Sequence, residues 1–178
     1  PRRGPQRFGR REAVGGIRYD RVSFELDDAF LDDGDQSDDQ TFSELSGTVG
    51  SIFHWNESMH LYANVATAFE TPTTTELAND PNGGSGFNPD LKSQYSVSYE
   101  VGLKKRPLKG PELDLALFII RSRDELISYE ISGSTFYKNT GRSRRIGLEA
   151  GISHHPMKWV KTSLSYTFSD FKFTEFDD

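Results

Sequence analysis

Apolar residues recur at every second position through most of this chain, and the stretches that carry them are joined by connections of alternating length. The clearest stretch sets Met59, Leu61, Ala63, Val65 and Phe69 against His60, Tyr62, Asn64 and Glu70. A period of two places alternate side chains on opposite faces of a β-strand. Connections at residues 55–58, 106–111 and 155–158 are short and polar, whereas those at 27–40 and 71–92 are long. A soluble sandwich has no physical reason to sort short and long connections onto opposite rims. A transmembrane β-barrel does, with short turns toward the periplasm and long loops facing outward. The expected fold class is therefore all-β, an antiparallel segment of a transmembrane β-barrel.

Composition fits that expectation. Only 34% of the 178 residues are apolar, which is low for a packed soluble core. The longest clean apolar run is residues 115–120. A helix needs roughly 20 apolar residues to cross a bilayer, but a strand needs only about 10, of which alternate ones must be apolar. The absence of cysteine removes disulfides and thiolate metal sites. A net charge of -6 argues against a nucleic-acid partner. No resident cofactor is expected. The charge is unevenly spread: Asp27, Asp28, Asp32, Asp33, Asp35, Asp38 and Asp39 crowd one loop, while the first eleven residues carry five Arg. Residues 1–5 do not resemble the charged and apolar start of an export signal. The sequence is expected to begin downstream of the start of an exported gene product.

Parity of the apolar residues gives seven strands, at about 12–26, 42–55, 59–70, 95–104, 112–131, 142–154 and 159–176. Ala13, Ile17 and Tyr19 oppose Arg18 and Asp20; Leu45, Val49 and Phe53 oppose Ser46, Thr48 and His54. In the fourth strand Tyr95, Val97, Tyr99, Val101 and Leu103 oppose Ser96, Ser98, Glu100 and Lys104. The fifth carries Leu113, Leu115, Leu117 and Ile119 on its odd face, then Arg121 and Arg123. It is expected either to have left the bilayer by Arg121 or to slip register at a bulge, because Arg at the midplane costs about 2–4 kcal/mol. Ile146, Leu148, Ala150 and Ile152 oppose Arg145, Gly147 and Glu149, and Leu164, Tyr166 and Phe168 oppose Lys161, Ser163, Ser165 and Ser169. Trp55 and Trp159 flank short turns, at the height of a periplasmic aromatic girdle. An odd strand count does not close a bacterial single-chain barrel. The expectation is a fragment, with residues 1–178 forming part of one larger barrel domain.

Residues 61–77 contain Tyr62, Asn64, Phe69, Pro72, Glu76 and Leu77 at the spacing Tyr-x-Asn, Phe-x-x-Pro and Glu-Leu. This stretch resembles one found in TonB-dependent outer-membrane receptors. In family order there follow Asn88-Pro89-Asp90-Leu91-Lys92, Tyr99-Glu100-Val101-Gly102-Leu103-Lys104, Asp124-Glu125-Leu126-Ile127, Tyr137-Lys138-Asn139 and Gly147-Leu148-Glu149. Each is weak alone; in order and over nearly the whole chain they are specific. The resemblance implies a 22-stranded barrel in the bacterial outer membrane, filled by an N-terminal plug that lies outside this sequence. It implies active import of a scarce nutrient, most often a ferric siderophore or other iron complex. The energy would come from an inner-membrane complex acting through the plug. Lipid and lipopolysaccharide would be the surroundings.

Several residues invite sharper readings. The acidic loop is read as solvated, with looser association to lipopolysaccharide phosphates through divalent ions. A specific Ca²⁺ site would need six to eight ordered oxygen ligands. His154 and His155 are adjacent on a strand and point to opposite faces, so they suit a rim turn better than a chelate. Arg142, Arg144 and Arg145 suit lumen or plug pairing better than an anion site. The turn-rich loop 71–92 is read as mobile, and its Asn79, Asp80, Asn82 and Asn88 are the substrate-binding candidates. No catalytic or metal-ligating set emerges, because His and Asp concentrate at opposite rims. A passive outer-membrane porin or a barrel that only binds is the alternative reading, and a soluble β-sandwich module a more distant one.

Overall fold

Alternation of the kind seen in the third strand continues through the computed structural model, which describes residues 9–29, 32, 34–83 and 86–175. The basic start at residues 1–8, Asp33, residues 84–85 and the end at 176–178 lie outside the described residues. The elements are β1 (Arg11–Leu26), β2 (Asp38–Asn56), β3 (Met59–Glu70), α1 (Thr74–Leu77), β4 (Gln94–Lys105), β5 (Glu112–Ile131), β6 (Ser134–Met157) and β7 (Val160–Glu175). Among the described residues the strands form one seven-stranded sheet in sequence order, each antiparallel to the next.

Register fixes which side chains share a face. One row across the sheet runs Gly15, Val49, Val65, Tyr99, Ile119, Ile146 and Asp170. The next row toward the short turns runs Ala13, Ser51, Ala63, Val101, Leu117, Leu148 and Phe168. These rows belong to the outward face; Ile17, Leu164 and Phe168 on it stay more than half exposed by the rest of the chain. The inward face carries small hydroxyl and charged groups: Thr48 Oγ1 donates to Asn64 Oδ1 at 2.9 Å, and Arg18 bonds Asp20.

The apolar belt is not parallel to the rows. In β1 it centres on Ile17, one row above Gly15; in β7 it centres on Tyr166, two rows below Asp170. That is a drift of six residues over the six strand-to-strand steps joining β1 to β7. With a rise of about 3.3 Å per residue and strands about 4.8 Å apart, one residue per step is a tilt of about 35°. Barrel closure imposes a tilt of that size. A level membrane crossing tilted strands produces the drift; a flat soluble sheet has no reason to show it.

Two motif glycines allow aromatic rings to lie flat on the inward wall. A Cβ on Gly102 would collide with the Tyr62 ring, and one on Gly147 with the Phe118 ring and the Phe168 carbonyl oxygen. Lys104 Nζ sits 5.4 Å from the centre of the Tyr62 ring. Tyr62 of one receptor-like stretch thus meets Gly102 and Lys104 of another on the neighbouring strand.

Three expectations need correction. β6 begins at Ser134, eight residues before Arg142, and joins β5 through a two-residue turn at Ser132 (φ 52°) and Gly133 (φ 85°). Positive φ at both positions is the hairpin geometry that matches strand twist. This outward connection is therefore short, and the outward reach comes from long strands instead. Strand outside a bilayer needs no apolar face, and residues 134–141, where Phe136 and Tyr137 are adjacent among polar residues, carried no alternation to read. Of the two alternatives for β5, no slip precedes Arg121: Arg121 and Arg123 continue the outward face, and the register shifts fall between Ser122 and Leu126, where Asp124 has φ 56°. The β6–β7 turn is at Lys158 and Trp159 rather than at residues 155–158, which leaves Trp159 at the rim, 81% exposed. The third correction, the ordering of loop 71–92, follows below.

Leu148→Arg in the protein as assembled in its membrane should cost about 2–4 kcal/mol if the residue lies near the midplane. Glu149→Gln on the inward face should leave assembly intact. Heat-modifiable gel mobility reports both; equal loss for the two variants would reverse the assignment of faces.

Candidate functional site

The connection from β3 to β4 is folded down rather than free. Pro72 is fully buried, and Thr73 starts α1 with a reciprocal cap. The Thr73 N–H donates to Glu76 Oε2 at 2.7 Å while Glu76 N donates to Thr73 Oγ1 at 3.4 Å. This stops the chain in an orientation that drives Leu77, 0% exposed, into a cluster with Phe42, Phe87 and Leu91. Phe24, Leu26, Leu126 and Tyr137 pack against it. Phe24 and Phe42 meet edge to face, with centroids 6.0 Å apart at 80°. Among the described residues this cluster, at the outer ends of the strands, is the buried hydrophobic core of the chain.

Polar clamps hold the same segment. Asn139 on β6 donates Nδ2–H to the carbonyls of Lys92 (2.8 Å) and Asp124 (2.7 Å), and its Oδ1 accepts from Lys92 N at 2.8 Å. Phe87 N donates to Asp38 Oδ2 at 2.8 Å, and Asn88 N to the Leu77 carbonyl at 2.6 Å. The receptor-like motif residues Pro72, Glu76, Leu77, Asn88, Leu91, Lys92 and Asn139 are therefore the parts of one lock. The sequence reading took this loop as mobile; its two ends are fixed, because the Gly- and Asn-rich tip hid the flanking anchors Leu77, Phe87 and Leu91.

The four substrate-binding candidates separate. Asn88 is 2% exposed and its Oδ1 accepts from Asp90 N at 3.0 Å, which commits it to the loop's interior. Asn79, Asp80 and Asn82 share the turn at the tip. Asn79 Nδ2 reaches the Thr75 carbonyl at 3.4 Å, and Asp80 Oδ1 accepts from Asn82 N at 2.9 Å. Asn82 itself is exposed.

Beneath the loop the inward wall carries Glu70 hydrogen-bonded by Gln94, and Glu125 Oε1 accepting from Ser143 Oγ at 2.5 Å. Arg145, opposite Ile120 and Phe171, faces inward as parity required; its guanidinium lies 5.5 Å from the centre of the Phe171 ring. Arg142 is paired with Glu175 at 2.6 Å, and Arg144, opposite Arg121, shares the outward face with Ile146, so of the three arginines read as lumen or plug partners only Arg145 faces inward. His154 lies in the ladder opposite Thr162, and His155 falls in the irregularity after it, so the two do not converge.

In the acidic loop, Asp28 Oδ2 accepts from Gln36 N at 3.1 Å and Asp35 Oδ1 from Ser37 N at 3.0 Å. The amide of Ser37 holds the Asp35 carboxyl below its ordinary pKa. Asp38, read as one of these solvated carboxylates, is instead the anchor for Phe87. Among the described residues no three His, Asp or Glu side chains are placed to share a metal ion.

Two features at the opposite rim were missed. His54 and His60 are direct cross-strand partners with Nδ1 atoms 2.9 Å apart, and His54 Nε2 is 3.1 Å from Glu12 Oε1. Their shared even parity beside a short turn was the available signal. Arg106 Nη2 lies 2.7 Å from both Asp114 carboxylate oxygens, and the Arg106 amide donates to the Ser58 carbonyl at 2.6 Å. The hydrogen bond to Asp114 raises the Arg106 pKa above its ordinary value. Two adjacent short turns are thereby tied together.

Tilted antiparallel strands, a drifting outward apolar belt and an inner wall of hydroxyl and charged groups define a stretch of transmembrane β-barrel wall. The family model described as TonB dependent receptor-like, beta-barrel matches residues 7–178, and the chain belongs to that family, whose place is the outer membrane. Among curated proteins it is similar to the metal-pseudopaline receptor CntO of Pseudomonas aeruginosa (strain UCBPP-PA14), 23% identical over 164 residues, 90% of this chain and 22% of that protein. Among solved structures it is similar to the copper transporter OprC (TM-score 0.73, 23% identity, 93% of this chain and 27% of that one). It is also similar to the ferric-catecholate import receptor Fiu from E. coli K12 (TM-score 0.72, 21% identity, 94% and 26%). These likenesses show the fold, and the relatives are receptors and transporters rather than enzymes. The chain spans about a quarter of their length.

Asn139→Ala removes the clamp on Lys92 and should weaken the docked loop by roughly 1–3 kcal/mol, the cost of leaving buried polar groups unpaired. Trypsin cleavage after Lys92 on intact cells should rise while heat-modifiable mobility stays normal. Unchanged cleavage would show that the loop is held elsewhere.

Proposed function

We propose that this chain supplies wall and outer loops to an outer-membrane importer of a metal ion or metal complex, with a ferric siderophore or other iron complex as the cargo to test first. The observation that carries the reading is the docked β3–β4 loop. It is anchored at both ends over the inward side of the outer strand ends, and it presents Asn79, Asp80 and Asn82 at its tip. Loops held on a rigid scaffold are where recognition concentrates. The names of the relatives span metal-pseudopaline, copper and ferric catecholate, so they favour a metal-bearing ligand as the class and iron as one member of it.

Import of a scarce ligand against its gradient needs energy. The reading assigns that input to a plug segment and an inner-membrane energy complex outside this chain. A passive porin, the second reading, would need neither. Lipid and lipopolysaccharide complete the partners, and no nucleic acid is among them.

Deleting residues 79–83 should lower binding and uptake of the metal ligand while surface antibody labelling stays normal. Uptake by whole cells of ferric siderophore, copper and a zinc chelate is measured with and without a protonophore. Loss of uptake of one of these in the deletion, and loss in the parent with protonophore, is the expected result. Protonophore-insensitive uptake would favour the porin, and unchanged uptake in the deletion would remove this tip from recognition.

A further inference from the structure

We infer that Arg121, Arg144 and Lys172 form a seat for a phosphorylated lipid headgroup of the outer leaflet, an inference that rests on β5–β7 being lipid-facing wall. Arg121 lies directly opposite Arg144, and Arg144 directly opposite Lys172, so three cations stand side by side across three strands. Directly opposed residues on one face have Cβ atoms roughly 4.5–5.5 Å apart, and like charges there repel. A sheet does not assemble such a row for its own stability.

The neighbouring acids reach only the Lys172 end of it. Asp170 holds Lys172 at 3.3 Å, Asp124 approaches Arg123 at 3.8 Å, and Glu175 holds Arg142 at 2.6 Å. Arg121 and Arg144 have no acidic partner among the described residues. Arg123, one row further out, rests over the Tyr95 ring at 5.2 Å. Arg121, Arg123, Arg142 and Arg144 line one shallow concavity with Tyr95 and Val97.

Position identifies the anion. The row stands on the outward face one row beyond Ile119 and Ile146, about 7 Å further along the strands at 3.3 Å per residue. Leu115, Leu117 and Leu148 continue the apolar wall below. A ligand lying here has acyl chains against that wall and its head beside the guanidinium groups. A phosphate monoester offers several acceptor oxygens, which suits two guanidinium forks better than a single carboxylate does. Arg145, the neighbour of Arg144, faces inward onto Phe171 and takes no part.

The test uses the protein purified from outer membranes in mild detergent, with co-purified phosphorylated glycolipid measured by mass spectrometry. Arg121→Gln with Arg144→Gln should reduce that lipid roughly tenfold, as loss of a charge-assisted hydrogen bond does, whereas inward-facing Arg18→Gln should not. Heat-modifiable mobility is followed in parallel. Normal mobility with unchanged lipid overturns the seat alone, while loss of mobility in the unmodified protein overturns the barrel reading beneath it. If the double variant does not assemble, the unmodified protein decides. After delipidation and transfer to phosphatidylcholine vesicles, added bisphosphorylated lipid A should raise its melting temperature, and the same lipid with its phosphates removed should not. Equal stabilisation by inorganic phosphate, or by the dephosphorylated lipid, would overturn the assignment to a phosphorylated headgroup.

Discussion

Backbone N–H and C=O groups inside hydrocarbon find no water, so every one must be paired by the next strand. Everything else in this chain depends on that ladder. Once each strand is locked to its neighbours in one register, a residue's parity decides whether it meets lipid or lumen, and a one-residue slip would exchange the two. The unbroken pairing of β3 with β4 from Met59 to Glu70 shows the consequence. Val65, Val101 and Leu117 fall on one side and Asn64, Glu100 and Glu149 on the other.

Where the ladder leaves the bilayer the polarity of the two faces inverts. The outward face of β5, β6 and β7 changes from Ile119, Ile146 and Phe168 to Arg121, Arg144 and Lys172. The inward side of the outer strand ends becomes apolar instead, with Phe24, Leu26 and Phe42 receiving Leu77, Phe87 and Leu91 from the loop. The same chain thus uses lipid to cover its apolar surface at one level and its own loop at the next. That division explains why the buried core is small and displaced to one end. It also explains why Leu77, Asn88, Leu91, Lys92 and Asn139 of the receptor-like motifs gather there: they hold the long loop down.

Strand existence and facing were legible because the bilayer enforces strict alternation, and residues 59–70 or 112–120 needed no further information. Family membership was legible from motif order. What lay outside the bilayer was not. Residues 134–141 continue β6 without an apolar face, so Ser132-Gly133 passed for part of a loop. The docked loop combines a polar tip with anchors spaced irregularly at 72, 77, 87 and 91, a pattern set by tertiary contacts rather than by any period. Asp38 and Asn139 act across 49 and 47 residues of sequence, and nothing local marks them. Of the candidate ligand residues, Asn79, Asp80 and Asn82 share one turn, whereas Asn88 is turned inward, which nothing local in the sequence marks.

The central claim is that a single parity rule orients this wall in the membrane, and β6 tests it most directly. The chain has no cysteine of its own, so single cysteines can be placed in turn at 144–152 and labelled with a fluorophore in the assembled protein. Quenching by a lipid-phase quencher should peak at 146, 148, 150 and 152 and fall at 145, 147, 149 and 151, with 144 responding to an aqueous quencher instead. Quenching without a period of two, or with the odd positions in lipid, would contradict the account.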